Sequence, residues 1–485
     1  MNEVTRVAAG CESPDDARDE IACSQPSSFR DPAGFVFRRG KVFYRQVNVA
    51  GRKNYDLLMG SGLYAALVEK DFLVGHEEVP VRSLDERNVY RVLQPQQIGL
   101  ISYPYEWCFS QFQDAALLTL DTQLLALEHG MSLKDATAYN VQFMNGRPIL
   151  IDTLSFESYD EGHPWVAYRQ FCQHFLAPLA LMARVDIRLN HLLRAHIDGI
   201  PLDLASKLLP ARTRLNMGLL MHLHLHARMQ GAYASTESAR PKRAVRVSRN
   251  GLVGMIQGLR GAVSKLRWSP SGTEWGQYYQ STNYSDASFN HKKQLVAKYL
   301  ALAKPRHVWD LGANTGVFSR LAADAGTPTV AFDIDPAAVE INYREARRKE
   351  ERFLLPLLLD LTNPTPGLGW GGEERESLLQ RGPVDCAMAL ALIHHIAISN
   401  NVPLSKAAIF LAQLCRTLII EFVPKADSQV QRLLSSREDI FEGYHQAGFE
   451  AAFSESFQIL RNEPISGTER TLYLMRSRMQ QHNAS

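Results

Sequence analysis

From residue 306 onward, short apolar runs alternate with segments of helical spacing, and no other feature of the chain limits its fold so strongly. The runs 306–311, 328–333, 353–359, 384–391 and 416–422 read as strands, and 316–325, 336–348 and 403–415 as helices. A helix between two strands carries the chain back so that the second strand lies parallel to the first. The pattern therefore predicts an α/β domain, a parallel sheet with helices on both faces. The closing stretch FQILRNEPISGTERTLYLMR has two strand-like runs around a glycine-containing turn, which adds an antiparallel hairpin.

Within this pattern, VWDLGANTG places Asp310 at the end of the first strand and Gly312 and Gly316 where the chain must turn into a helix. Glycines there permit tight backbone geometry, and the crevice at the carboxyl ends of the strands is where open α/β sheets take small ligands. A dinucleotide fingerprint would have no acid before its first glycine, because the carboxylate would repel a pyrophosphate. Asp310 suits a cation instead, such as the α-ammonium of S-adenosylmethionine. Asp333, ending the second strand in VAFDID, can accept from two ribose hydroxyls, and Asp360, ending the third in LLLDLTNP, from the adenine amine.

Over 273–476 this resembles the class I S-adenosylmethionine-dependent methyltransferases: D-x-G-x-x-x-G at 310–316, acids after the second and third strands, VDCAMALAL, TLIIEFV and the terminal hairpin. Asn314 stands where many members have a middle glycine, and its amide can still bond the methionine portion. The resemblance implies S-adenosylmethionine as cofactor, with Asp310, Gly312, Asn314, Gly316, Asp333 and Asp360 binding it. His394 and His395 follow the fourth strand and are the candidate catalytic bases; the alternative is that they pack around the cofactor. No N-P-P-[YF] or D-P-P-Y follows that strand, so a planar amine acceptor lacks its usual support. Trp275, Tyr278, Tyr279, Tyr284 and Phe289 are read as an aromatic cover of the site or as core.

The 485 residues, 45% of them hydrophobic, suffice for two or three compact domains. With 53 basic and 51 acidic side chains, the net charge of +2 gathers neither nucleic acid nor anionic membrane by a whole-molecule field. The six cysteines form no C-x-x-C pair and read as reduced thiols, and no metal site is expected. The first residues lack the apolar core of a secretory signal, and no apolar run reaches the ~18 residues of a membrane span, so a cytoplasmic location is expected. Residues 1–30 read as a disordered tail, 31–230 as an α+β domain, 231–272 as a basic linker and 273–485 as the methyltransferase domain.

In the first domain, FVFRRGKVFYRQV reads as a hairpin turning at Arg39-Gly40, and strands are expected at 89–94 and 98–102, with helices at 62–75 and 112–130. SLKDATAYNVQFMNGRPILIDTL follows, with Asp135, Asn140 and Asp152. This order resembles the protein-kinase-like and aminoglycoside-phosphotransferase-like fold over 33–230. That resemblance implies Asp135 as base, Asn140 and Asp152 as metal ligands, and Arg45 or Lys53 as phosphate-binding cation. The chain departs from it in having Lys134 before Asp135, DTL in place of D-F-G, and one glycine at the hairpin. A retained fold whose acids bind an acceptor or a nucleotide without phosphate transfer is therefore expected.

In the linker, Leu252, Met255, Ile256, Leu259, Val263 and Leu266 fall at helical spacing beside Arg260, Lys265 and Arg267. Packing of one domain on the other is the first reading of this helix; a weak anionic surface contact through 240–267 is the second. MHLHLHARM at 221–229 does not put three histidines on one helix face, so packed or solvated histidines are expected there. The two-domain arrangement also resembles bacterial nodulation-related methyltransferases. The expected partner is a methyl acceptor whose identity the sequence does not give, selected or presented by the first domain; the alternatives are a non-catalytic scaffold and a bifunctional phosphotransferase-methyltransferase.

Overall fold

The computed structural model describes residues 22–229, 246–270, 285–435 and 437–479. Two large sheets organise it. The first is antiparallel and five-stranded, built from β1 (Ala22–Ser24), β2 (Gly34–Arg39), β3 (Val42–Asn48), β4 (His76–Glu78) and β5 (Val89–Pro95) in the order β1-β2-β3-β5-β4. Gly40, at φ 55°, turns the β2–β3 hairpin. The long helix Phe109–Glu128 follows, then β6 (Met131–Leu133), β7 (Val141–Met144), β8 (Arg147–Leu150) and β9 (Phe156–Ser158). Here β6 pairs with β9 and β7 with β8.

Three local expectations need correction. Residues 98–102 form no strand, because the Gln142 side chain accepts from the Ser102 N–H at 2.8 Å and donates to its carbonyl at 3.0 Å, taking the place of a strand partner. The helix expected at 62–75 is shorter, Leu63–Glu69, ending before Asp71 at φ 55°, and an unexpected helix, Arg52–Gly60, precedes it across Gly62 at φ 81°. Cys108, Cys172, Cys386 and Cys415 are buried free thiols, whereas Cys23 is disulfide-bonded.

The second sheet has seven strands: β10 (Val308–Leu311), β11 (Thr329–Asp333), β12 (Leu354–Leu358), β13 (Val384–Ala389), β14 (Cys415–Phe422), β15 (Phe457–Pro464) and β16 (Thr471–Ser477). Their order is β12-β11-β10-β13-β14-β16-β15, parallel except for the antiparallel β16 and its pairing with β15. β10 and β11 are buried at every residue, as strands covered on both faces must be. Chain direction across the sheet reverses at β10, between β11 and β13, so the crevice opens beyond the Asp310 end.

The linker helix Arg249–Ser264 lies along the helix Phe109–Glu128 and buries Leu252, Ile256, Leu259 and Val263, with Leu266 just after it. Gln113 donates to the carbonyls of Val263 and Leu266, and Arg260 pairs with Asp121 at 2.6 Å. Its apolar face is thus used in packing. The two sheets are further joined at the start of Phe109–Glu128, where the Gln111 amide donates to the Pro356 carbonyl and Tyr343 donates to Asp114 at 2.7 Å. The crossover between β12 and β13 adds a buried ion pair, Arg381 to Glu106 at 2.6 Å, with Thr365 also donating to Glu106.

Candidate functional site

β10 carries Asp310 to the mouth of the reversal point, where the carboxyl is buried and accepts from Ser319 Oγ at 2.6 Å. Burial pushes its pKa up to about 7; Ser319 and Lys292 oppose the rise, and the neighbouring Asp333 adds to it. The turn that follows depends on its glycines. Gly316 sits at φ 78°, and a Cβ there would lie 2.5 Å from the Asn342 amide; at Gly312, also φ 78°, a Cβ would meet Leu392 at 3.3 Å. Asn314 takes φ 49°, a left-handed conformation that asparagine tolerates, and its N–H donates to Asp333 at 2.7 Å.

Asp333 ends β11 and also accepts from the Asp335 N–H at 2.8 Å; burial pushes its pKa up to about 6. Asp335 in turn caps the helix Pro336–Lys349, so the loop geometry is fixed by the start of the next helix. Asp360 follows β12, half-buried, and accepts from the N–H and hydroxyl of Thr362. A cavity of about 340 Å³ brings together Asp310, Gly312, Asn314, Asp333, Asp360 and His395. Gly316 is not among the cavity-lining residues; its missing side chain leaves room for Asn342. His394 lies off the cavity wall, its Nδ1 buried without a hydrogen-bond partner among the described residues, its ring 4.2 Å from that of His395. Burial lowers both imidazoles, His395 to about 4, so both are neutral near pH 7.

Two wall features escape a reading of motifs. Ile334, between Asp333 and Asp335, is 57% exposed and lines the cavity, an apolar surface of the size an aromatic base can cover. Lys292, on the helix Asp286–Ala303, reaches the wall through its buried ammonium, which pairs with Glu421 at 2.6 Å and lies 4.6 Å from the Phe318 ring centre. Glu421 also meets Arg470, which pairs with Asp427 at 2.7 Å. A signal for Lys292 was available: it shares a helical stripe with Ser288, Leu295, Val296 and Tyr299, all buried. Of the expected aromatic cover, Phe289 lines the cavity, and Trp275, Tyr278, Tyr279 and Tyr284 lie outside the described residues.

The cavity lies within the ~300–1,000 Å³ range of ligand pockets. Its groups fit S-adenosylmethionine: a buried carboxyl for the ammonium, a second acid beside an exposed apolar side chain for ribose and base, and a third for the exocyclic amine. With its reversal point over this cavity, the second sheet is that of the class I S-adenosylmethionine-dependent methyltransferases. No protein-family model matches the chain. The chain is, however, 37% identical over 458 residues to the nodulation protein NoeA of Rhizobium meliloti, spanning 92% of this chain and 94% of that one, and it belongs to the NoeA family.

Among solved structures, the chain is similar to the bifunctional kinase-methyltransferase WbdD, at 17% identity over 44% of this chain and 45% of that one, TM-score 0.28. It is also similar to magnesium protoporphyrin IX methyltransferase from Synechocystis with bound SAH, at 19% identity over 42% and 92%, TM-score 0.30. NodS, an N-methyltransferase from Bradyrhizobium japonicum, matches at 9% identity over 40% and 98%, TM-score 0.29. At such scores none of these likenesses bears on the site, which rests on its own geometry.

The second group of acids lies between β6 and β9. Asp152 Oδ1 is 2.5 Å from Arg45 Nη2 and accepts from the Leu154 N–H at 2.9 Å, while Oδ2 accepts from Ser155 Oγ at 2.6 Å. Asn140 donates to the same Ser155 hydroxyl. Asp135 accepts from the Thr137 N–H and from the side chains of Gln170 and Asn140; burial, and then Asp152, raise its pKa. The structure thus brings Asp135, Asn140, Asp152 and Arg45 together, and leaves Lys53 exposed on the helix Arg52–Gly60. The histidines at 222–226 are held in packing: His222 bonds Tyr168, His224 bonds Ser206 and Thr213, and His226 stacks on Tyr168.

Proposed function

We propose that this protein transfers a methyl group from S-adenosylmethionine to an oxygen or nitrogen of an acceptor, with His395 as general base and residues 31–230 selecting or presenting that acceptor. One observation carries the reading: the neutral imidazole of His395 faces the same cavity as the three strand-end acids. When bound, the cofactor supplies a methyl group already activated by its sulfonium, so the protein must mainly orient the acceptor and remove its proton. Asp310 holds the ammonium, Asp333 the ribose hydroxyls and Asp360 the adenine amine, while Ile334 packs against the base. His395 takes the acceptor's proton. His394 backs its ring and restricts its rotation.

The role given to the first domain draws support from the β12–β13 crossover, which lines the cavity with Asp360, Leu361 and Thr362 and reaches Glu106 with Thr365 and Arg381. A second reading, a bifunctional phosphotransferase-methyltransferase, has one observation in its favour: Arg45 and Asp152 meet, with Asp135 and Asn140 beside them. The test is labelled-methyl transfer into fractionated extracts of a deletion strain. Label should enter one fraction, and His395→Ala should lower the rate by roughly a hundredfold with cofactor affinity unchanged. No label in any fraction would favour a non-catalytic scaffold. Magnesium-dependent phosphate transfer abolished by Asp135→Ala would favour the bifunctional enzyme.

A further inference from the structure

The helix Arg249–Ser264 buries its apolar face, yet a different apolar surface beside it remains in water. Residues 208–229 expose Leu208, Leu215, Met217, Met221 and Met229, with Leu215 87% and Met217 68% accessible. The turn that carries them is firmly held. Thr213 is buried, donates to the Pro210 carbonyl at 2.6 Å and meets His224 Nε2 at 2.9 Å, and the Asn216 side chain accepts from the Leu219 N–H. On the inner side, Gly218 packs so closely on the linker helix that a Cβ would lie 2.6 Å from that of Ala262. Leu215 and Met217 are therefore presented outward by an anchored turn.

The charge around them has one dominant sign. Between 199 and 229 the sequence carries Lys207, Arg212, Arg214 and Arg228 against the single acid Asp203, which pairs with Lys207 at 3.4 Å. Arg212, Arg214 and Arg228 are exposed; Arg212 and Arg214 lie on the turn that carries Leu215, and Arg228 is on the segment whose His224 meets Thr213 of that turn.

We propose that this face docks on an anionic lipid bilayer, with Leu215 and Met217 entering the headgroup boundary and Arg212, Arg214 and Arg228 meeting lipid phosphates. Exposed apolar side chains beside cations suit that boundary, where buried apolar area and attraction to anionic headgroups add. A nucleic acid is the poorer fit, because residues 208–229 contain no Phe, Tyr or Trp for bases to stack on, the histidine rings there are engaged by Tyr168, Ser206 and Thr213, and the apolar tip gains nothing from phosphates.

Cosedimentation of the full chain with phosphatidylcholine vesicles, with and without phosphatidylglycerol, tests this. Binding should require phosphatidylglycerol and weaken with salt. Each arginine contributes roughly fivefold, so Arg212→Gln with Arg214→Gln should reduce partitioning by roughly twentyfold or more. Leu215→Asp should reduce it as well. Both variants should keep the wild-type melting temperature and S-adenosylmethionine affinity, because the altered side chains are exposed. Absence of vesicle binding, binding indifferent to Leu215→Asp, displacement of vesicles by RNA, or self-association abolished by Met217→Asp would each overturn the proposal.

Discussion

The molecule contains two groups of acids at the ends of strands, and they differ in what surrounds them. Asp310, Asp333 and Asp360 open on one cavity, and the first two have pKa values raised by burial, a condition that a bound cation or hydroxyl donor would relieve. Asp152 is instead held by Arg45, Ser155 and the Leu154 N–H, and Asp135 by Thr137, Gln170 and Asn140. The crossover between β12 and β13 also contacts Arg30, Ile101 and Tyr139 of the same part of the chain. Glu374 pairs with Arg30 at 2.6 Å, the Arg375 guanidinium lies 4.0 Å from the Tyr139 ring centre, and Arg381 donates to the Ile101 carbonyl. Similar letters in sequence thus give an open receptor in one domain and an internally bonded cluster in the other.

The largest effect expected on this contrast comes from breaking the Arg381–Glu106 pair between the two sheets. Arg381 and Glu106 are both buried, so Arg381→Met leaves a carboxylate without its cation and should cost about 3–5 kcal/mol of unfolding free energy. Chemical denaturation measures it; a loss below about 1 kcal/mol would mean that the two domains do not depend on this pair.

Next in size is the response of the open receptor to pH. A carboxyl whose folded pKa lies above its ordinary 3.8 destabilises the fold as it ionises, so without ligand Asp310 lowers stability as pH rises from about 4 to about 7. A bound ammonium favours the ionised form. Cofactor affinity measured by calorimetry should therefore fall by up to about tenfold per unit as pH drops below about 7. Asp310→Ala should weaken binding and flatten the profile. An unchanged profile would remove Asp310 from the ammonium site.

The smallest effect sharpens the contrast from the other side. Asp152→Asn preserves shape but weakens the link to Arg45, so methylation of the natural acceptor should fall by a few-fold while cofactor affinity in the second domain stays constant. Steady-state kinetics beside calorimetry separate the two. If cofactor affinity falls with methylation, the two groups of acids are coupled and the contrast fails.

Much of the cavity lining was legible because its parts are local to the strand-loop-helix units that carry them. Asp310, Gly312, Asn314 and Gly316 lie within one turn, and Asp333 and Asp360 each end a strand whose apolar run marks its limit. The 98–102 segment was misread because its letters suit a strand, whereas its hydrogen bonds go to Gln142, some forty residues away. Ile334 was passed over because an isoleucine beside a strand end ordinarily packs, and only the cavity leaves it exposed.

The sequence alone determined the parallel sheet, its glycine turn and the acids at three strand ends, since each follows from residue spacing and from backbone conformations that few residues accept. Tertiary structure decided which of two adjacent histidines faces the cavity, because a single step along the backbone turns a side chain from wall to interior. It also decided the pairing of Lys292 with Glu421 and Arg470, residues far apart in the chain whose charges are stable in the interior only because folding sets them side by side. The packing of the helix Arg249–Ser264 and the Arg381–Glu106 pair were settled in the same way. Local letters specify what a segment can bond, and only the assembled neighbours determine whether those bonds are already made.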